Sequence, residues 1–460
     1  MKQLVFLDQS KIYQDLWRLS WPVITFMIFQ TTFELVDLYW VGRLGTAAVA
    51  ALSLSNSIFW MLFTFCEIIT ISTLALVARY RGAGDEAGVK TVARHSFWLA
   101  VILSGVVISL VFGLGNLFIS LFNVEADVHG MALLYLQVIG VSFFFAYCGM
   151  ALGSVLQGVG DTRTPMAVLV ITNIINIVLD PILIFGWLGF PALGILGAAA
   201  ATLLARVIGF AVLLYILLSG KVSPSKLKVE GLLTRKLQMP YLKRILQIGA
   251  PACLQATTRP LTGLLMMWLV ALFGTEAIAA FGIGMRMLGF AFIIVSGLIV
   301  GTSTMVGQSL GASLKDLTAE ITRKAMTIST VIQGVMAAFY FLAAPLIISF
   351  FADDPRVIEM GTAYLRIISP GLLLLGPFTV IEAVFKGSGH TVPPMASALI
   401  ANWIIKIPFA YLLALPLALG TDGVWWAITI SIVTELILLI VWYRRRGWMY
   451  REIRVLAPGK

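Results

Sequence analysis

Twelve times along the chain, polar and charged residues give way to apolar runs, at 16–44, 47–78, 93–121, 131–155, 165–188, 194–219, 245–273, 276–308, 325–350, 361–385, 394–416 and 422–443. A helix rises about 1.5 Å per residue, so roughly 20 apolar residues cross the hydrocarbon of a bilayer. Inside lipid every backbone N–H and C=O must find its partner within the protein, and continuous apolar runs of this length do so as helices. The pattern predicts an all-α integral membrane protein of twelve transmembrane helices. Only one polar interval is long: 220–244, GKVSPSKLKVEGLLTRKLQMPYLKR.

The pattern also repeats. Pro22 and Pro251 stand 229 positions apart, and the same offset lays GTAAVAAL (45–52) on GTEAIAAF (274–281) and QGVGDTRTPMA (157–167) on KGSGHTVPPMA (386–396). Tyr135 falls on Tyr364 and Asn173 on Asn402, so the register holds from the first predicted span to the fifth. Six spans per copy is an even number; the copies therefore enter the membrane from the same side, as two six-helix lobes related by a pseudo-two-fold axis along the membrane normal. The expected organisation is an N-lobe over 1–219, a basic cytoplasmic linker over 220–244, a C-lobe over 245–443 and a cytoplasmic tail over 444–460. Two lobes with a cleft form a transporter plan, for which a monomer suffices.

Composition supports the membrane reading: 60% of residues are hydrophobic and 12% charged, against about 25% charged in soluble domains. The net charge of +10 does not point to nucleic acid, because the basic residues fall on one side. Lys2, Lys11, Arg79, Arg81, Lys90, Arg94, Arg163, the linker lysines and arginines, Lys315, Arg323, Lys324, Lys386 and Arg444–Arg446 share it. The opposite loops hold Arg43 and Arg356 among Glu125, Asp127, Glu276, Asp353, Asp354, Glu359 and Asp422. The positive-inside rule then places both termini in the cytoplasm, with the chain multi-pass in the plasma (inner) membrane and lipid as its surroundings. MKQLVFLDQSKIYQD is too polar for a secretory leader, so insertion is expected to begin with the first span. Cys66, Cys148 and Cys253 lie inside apolar runs without metal or redox spacing and read as small core side chains.

Against this background the polar residues within spans stand out. The fifth span reads TNIINIVLDPILIFG, with Asn173, Asn176 and Asp180; the first carries Gln30, Glu34 and Asp37 in QTTFELVD. A carboxylate at a bilayer centre costs about 2.5–3.5 kcal/mol on insertion scales, so such groups face protein or water and mark function. Glu34 and Asp37 are three apart and share a helix face, as do Asn176 and Asp180, four apart. Pro181 denies its helix one N–H and frees a carbonyl. Together these oxygens can ligate a hard cation or accept a proton.

The repeat serves as an internal control. Glu34, Asp37, Glu67 and Asp180 fall on Gly263, Met266, Ser296 and Phe409, whereas Arg259, Arg286, Arg366 and Lys406 fall on Gln30, Ser57, Gln137 and Ile177. The N-lobe is acidic inside and the C-lobe largely basic. Arg259 and Lys406 either balance the N-lobe carboxylates or neutralise Glu382 and Glu435 within their own lobe. Phe33, Gln30 and Met285 are candidates for a substrate wall beside Asp37 and Asp180, since methionine repacks readily.

The doubled six-helix plan, the Trp21-Pro22 start, the GVGDTRTP loop (158–165), Asp37 deep in the first span and NIINIVLDP (173–181) resemble the multidrug and toxic compound extrusion (MATE) family, over essentially the whole chain. The resemblance implies an ion-driven antiporter exporting mostly cationic amphiphiles by rocker-type alternating access, with H⁺ favoured over Na⁺. Carried over residue by residue, the family's first-helix Asp lands on Asp37 and its fifth-helix pair on Asn176 and Asp180, which are the ligands if the ion is Na⁺. The position of a sixth-helix hydroxyl that some members add falls on Ala198, which has none, leaving Thr202 one turn on; this departs from the family's complete sodium site. Ion uptake at these N-lobe residues, with Asn173 and Glu34 near them, displaces the substrate. Another branch uses C-lobe acids, but here its positions offer Arg259 and Glu382.

Other classes fit less well. No Walker A motif occurs, and His95, His129 and His390 are scattered, so no cofactor or metal cluster is expected. A membrane prenyltransferase needs paired acidic clusters, and Asp353-Asp354 is single; the chain is read as no enzyme. A flippase for a lipid-linked precursor is the nearest rival. Arg259, Arg286 and Lys406 favour it, while the twelve spans and the N-lobe acids oppose it.

Overall fold

The computed structural model describes residues 9–454; Lys2, counted above, lies outside them. Twelve long helices appear among the described residues. They are α1 Ile12–Gly42, α2 Thr46–Gly82, α3 Glu86–Ser120, α4 Ala126–Gly158, α5 Arg163–Phe185 and α6 Ile195–Ser219 in the first half. The second half repeats the order with α7 Met239–Ala271, α8 Thr275–Gly311, α9 Lys315–Ser349, α10 Pro355–Ser388, α11 Val392–Ala414 and α12 Gly420–Arg444. Eleven are long and apolar enough to cross a membrane; α7, with Lys243, Arg244, Arg259, Pro251 and Pro260, falls short on apolarity. The chain is a multi-pass membrane protein of the all-α class expected.

Local chemistry explains the helix ends. Asp85 caps α3 by accepting the Gly88 N–H at 2.8 Å, and Asp354 caps α10 by accepting that of Arg356 at 2.8 Å, with Pro355 in the first turn. Before α5, Asp161 accepts from the Thr164 N–H (3.0 Å), the Thr164 hydroxyl (2.6 Å) and the Ser223 hydroxyl (2.5 Å), which ties the segment after α6 to the turn. Two helices depart from regular winding. A 3₁₀ turn interrupts α2 at Thr64–Cys66, and α11 is wound as a π-helix over Ile400–Lys406.

The packing order repeats with the sequence. In the first half α4 is the hub, against α2, α3 and α6; in the second, α10 plays that part against α8, α9 and α12. The first hub includes Phe143 stacked on Phe59 (4.8 Å) and Tyr147 donating to the Leu62 carbonyl (2.7 Å). Around the second, Trp425 stacks on Phe281 (5.5 Å) and meets Tyr364 edge-on (4.9 Å).

Compactness divides the chain inside helices rather than in the linker. One unit takes Trp21–Gly249, the other Ala250–Ile453 together with the start of α1 up to Ser20. Each unit thus includes the first turns of the other half's leading helix. Close approach makes this feasible. A Cβ at Gly249 would meet the Ile68 carbonyl oxygen at 2.0 Å, and one at Gly301 would meet Ser20 Oγ at 2.7 Å. Ser20 and Gly249 are themselves 229 apart.

Candidate functional site

Within the Trp21–Gly249 unit, α1, α5 and α6 bring four of the sequence-derived residues into one buried group. Asp37 is 6% exposed, Asn176 2%, Asp180 0% and Thr202 7%. The spacing of four places Asn176 and Asp180 together on the inward face of α5; on α1, Asp37 is turned inward while Glu34, three residues before it, is exposed. Pro181 follows without breaking α5, and its missing N–H leaves the Ile177 carbonyl without its helical donor. Asn176 Nδ2 donates to Thr202 Oγ1 at 3.3 Å, so the hydroxyl one turn beyond Ala198 reaches the group.

What these groups lack is as informative as what they have. Both carboxylate oxygens of Asp180, Oδ1 of Asp37 and Oδ1 of Asn176 are buried with no hydrogen-bond partner among the described residues. Neither Asp37 nor Asp180 belongs to any ion pair there. Buried polar atoms are nearly always paired, so a group of bare acceptors is a demand for a proton or a cation. The two carboxylates lie within range of each other's charge, and Tyr135 of α4 lies within range of both. The nearest basic residue does not answer them. Arg206 Nη1 donates to Ser142 Oγ at 2.6 Å and its guanidinium sits over the Phe59 ring at 4.5 Å.

A second, wetter row continues along α1. Asn173 Nδ2 donates to Gln30 Oε1 (3.2 Å), and Gln30 Nε2 to Glu34 Oε1 (3.2 Å); Glu34 is exposed and Phe33 half-buried. Asn173 therefore joins α5 to α1 through Gln30 instead of joining Asn176. Met285 is placed elsewhere: it lines a cavity within the Ala250–Ile453 unit, among Arg259, Asn402, Lys406 and Glu435. There Arg259 lies 3.5 Å from Glu435 and 3.8 Å from Glu382, and Lys386 lies 2.7 Å from Glu382. Of the two roles open to Arg259, neutralising acids of its own half is the one realised. Arg286 is exposed and does not line this cavity.

Tyr135 is the site residue that sequence reasoning missed. Its match with Tyr364 marked it as scaffold. The one available signal was its place, as an aromatic with a hydroxyl, inside an apolar span.

Among the described residues no three of His, Cys, Asp and Glu converge as a metal centre. A cation here would instead be held by Asp37, Asp180, Asn176 and Thr202, two carboxylates and two neutral oxygens.

Comparison with known proteins adds an independent line. The MatE family model matches residues 22–182 and again 251–412, one copy in each half. The chain is 30% identical over 449 residues to the probable multidrug resistance protein NorM of Thermotoga maritima, covering 97% of this chain and 95% of that one. It is 24% identical over 452 residues to the multidrug export protein MepA of Staphylococcus aureus, covering 96% of each. Among solved structures, a MATE in the bent conformation superposes with a TM-score of 0.88 at 25% identity, over 95% of this chain and 96% of that one. A MOP superfamily transporter from Pyrococcus furiosus, described as having a binding pocket of reverse polarity, superposes at 0.87 with 25% identity over 96% and 97%.

Proposed function

The chain belongs to the MatE family of multidrug efflux transporters, and from that premise we propose that it is a secondary antiporter driven by a cation gradient and exporting cationic amphiphiles. The reading rests on one observation: Asp37 and Asp180 are buried together, within range of each other's charge, with no basic partner. A pair of uncompensated buried carboxylates attracts whatever positive charge can reach it, whether ion or drug.

The cycle follows from that competition. With both carboxylates ionised, the site holds a cationic amphiphile taken from the cytoplasm or the inner leaflet. Rocking of two lobes, 1–219 and 245–443, exposes it outward, where H⁺ or Na⁺ neutralises the pair and the drug loses its counter-charge. Ion and drug exert this control only because each prefers a different charge state of the same residues. H⁺ is favoured over Na⁺, since one proton relieves two close carboxylates without a converging shell of ligands. If Na⁺ is the ion, Asp37, Asn176, Asp180 and Thr202 hold it. Phe33, Gln30, Glu34 and Asn173 form the approach.

The protein sits in the plasma (inner) membrane with both termini cytoplasmic, acts as a monomer, and uses no cofactor or nucleic acid. Flipping a lipid-linked precursor is disfavoured, because Arg259, which a pyrophosphate would recruit, is already engaged by Glu382 and Glu435.

The test is dye efflux from proteoliposomes bearing wild type, Asp37→Asn or Asp180→Asn, driven separately by a proton gradient and a sodium gradient. Wild type should respond to the proton gradient and each variant should lose that response. Full efflux by both variants under both gradients overturns the mechanism.

A further inference from the structure

We propose that the cavity of the second half is a separate ligand site, for a small amphipathic monocarboxylate whose head meets Lys406 and whose body lies against Met266, Phe281, Met285 and Phe292. The proposal is independent of the export reading and uses none of its residues except Met285, one of the candidates for the substrate wall.

Charge makes the first part of the case. Arg259, Lys386 and Lys406 are three cations, and Glu382 and Glu435 two anions. Arg259 is shared between both glutamates, and Lys386 holds Glu382 at 2.7 Å, which leaves one positive charge in excess. It resides on Lys406. The only hydrogen-bond partner of its ammonium among the described residues is a neutral one, Asn402 Oδ1 at 2.7 Å; Glu435 lies within range of its charge without forming an ion pair with it. Two of its three N–H bonds are left to offer.

Shape makes the second part. The cavity is half open, with about 330 Å³ of accessible space, and apart from Arg259, Lys406, Glu435, Asn402 and Ser431 its walls are apolar. That is room for a compact aromatic or aliphatic body. Gly263 and Gly289 line it, and a Cβ at either would meet nothing within 4 Å. Glycine weakens a helix, so leaving both positions empty is a cost accepted for space.

Backbone makes the third. The π-helical stretch Ile400–Lys406 carries Asn402 and Lys406, and such local rewinding in a helix is frequent at functional sites. The matching residue in the first half is Ile177, so the cation belongs to this half alone. A cationic amphiphile is repelled by the excess charge, and a dianion is undercompensated by it. A monocarboxylate matches it, with charge-assisted hydrogen bonds from the ammonium.

The experiment measures binding by calorimetry to the full-length protein in phosphatidylcholine nanodiscs. Naphthaleneacetate is the probe, with naphthaleneacetamide and naphthylmethylammonium as neutral and cationic matches. The carboxylate should bind saturably and the other two at least about tenfold more weakly. Lys406→Ile, which installs the residue found at position 177, should weaken the carboxylate about tenfold, and Gly289→Leu, which fills open space, should abolish its binding. Absence of saturable binding to wild type, equal binding of the three head groups, or unchanged binding in either variant overturns the proposal. So does loss of carboxylate binding in nanodiscs containing phosphatidylglycerol, which would give the site to the bilayer's own lipid.

Discussion

The two halves share a packing order and differ in how they treat buried charge. In the second half every buried acid near α7 is answered: Arg259 reaches Glu382 and Glu435, and Lys386 reaches Glu382. In the first half Asp37 and Asp180 have no ion-pair partner among the described residues, while Arg206 turns to Ser142 and Phe59. The inversion is specific. Position 206 holds Arg where its match, 435, holds Glu, and position 30 holds Gln where its match, 259, holds Arg. An ion-paired network ties helices together even with Glu382 Oε2 short of a hydrogen bond, whereas unpaired carboxylates keep their charge uncompensated. The same scaffold appears twice, with paired buried charge in one copy and unpaired buried carboxylates in the other.

Removing charge should therefore act in opposite senses on the two halves. Arg259→Gln, which copies the residue at position 30, takes from Glu435 its ion-pair partner and leaves Glu382 with Lys386 alone, and should lower stability by about 2–3 kcal/mol in thermal unfolding. Asp180→Asn loses no partner and should be neutral or stabilising. A neutral Arg259→Gln would break the comparison. The shared scaffold is probed next. Gly249→Ala presses a Cβ onto the Ile68 carbonyl and should cost about 1–3 kcal/mol, whereas Gly263→Ala, in open space, should gain up to about 1 kcal/mol. Smaller still is Thr202→Val, which deprives Asn176 of its acceptor; it should cost about 1 kcal/mol and reduce any sodium-driven efflux more than proton-driven efflux.

The smallest effect concerns the matched loop positions 161 and 390. Asp161 is held by three donors, but His390 is half-buried with its Nδ1 shielded and unpartnered among the described residues, and burial, helped by the charge of Arg451, pulls its pKa from the usual 6.5 down to about 4. A depressed histidine stabilises the fold when neutral. That stability is complete above about pH 6.5 and is lost as pH falls towards 4. Hydrogen exchange should then show the turn at 389–391 loosening on acidification before the turn at 160–162, and His390→Gln should remove the difference.

Much of this was legible in the sequence because membranes simplify the code. Apolar length alone marked twelve spans, the constant offset exposed the duplication, and helical spacing put Asp37, Asn176 and Asp180 on inward faces. Other features leave no trace in periodicity. The hydroxyl of α6 depended on one helical turn between Ala198 and Thr202, which the rotation of α6 against α5 decides. Met285 looked like any methionine in a span, and only packing assigned it to the cavity with Lys406. The π-helical turn at 400–406 has no glycine or proline within it to announce it. The pairing of Arg259 with Glu435 joins residues 176 apart, on helices whose contact no local pattern encodes.

The most direct measurement is proton release on drug binding. Purified protein in weakly buffered, sodium-free medium is titrated with a cationic amphiphile while a pH indicator is followed. Wild type should release protons in proportion to drug bound, and the Asp37→Asn/Asp180→Asn double variant should release none. Release undiminished in the double variant would contradict the claim that drug and ion compete for these two carboxylates.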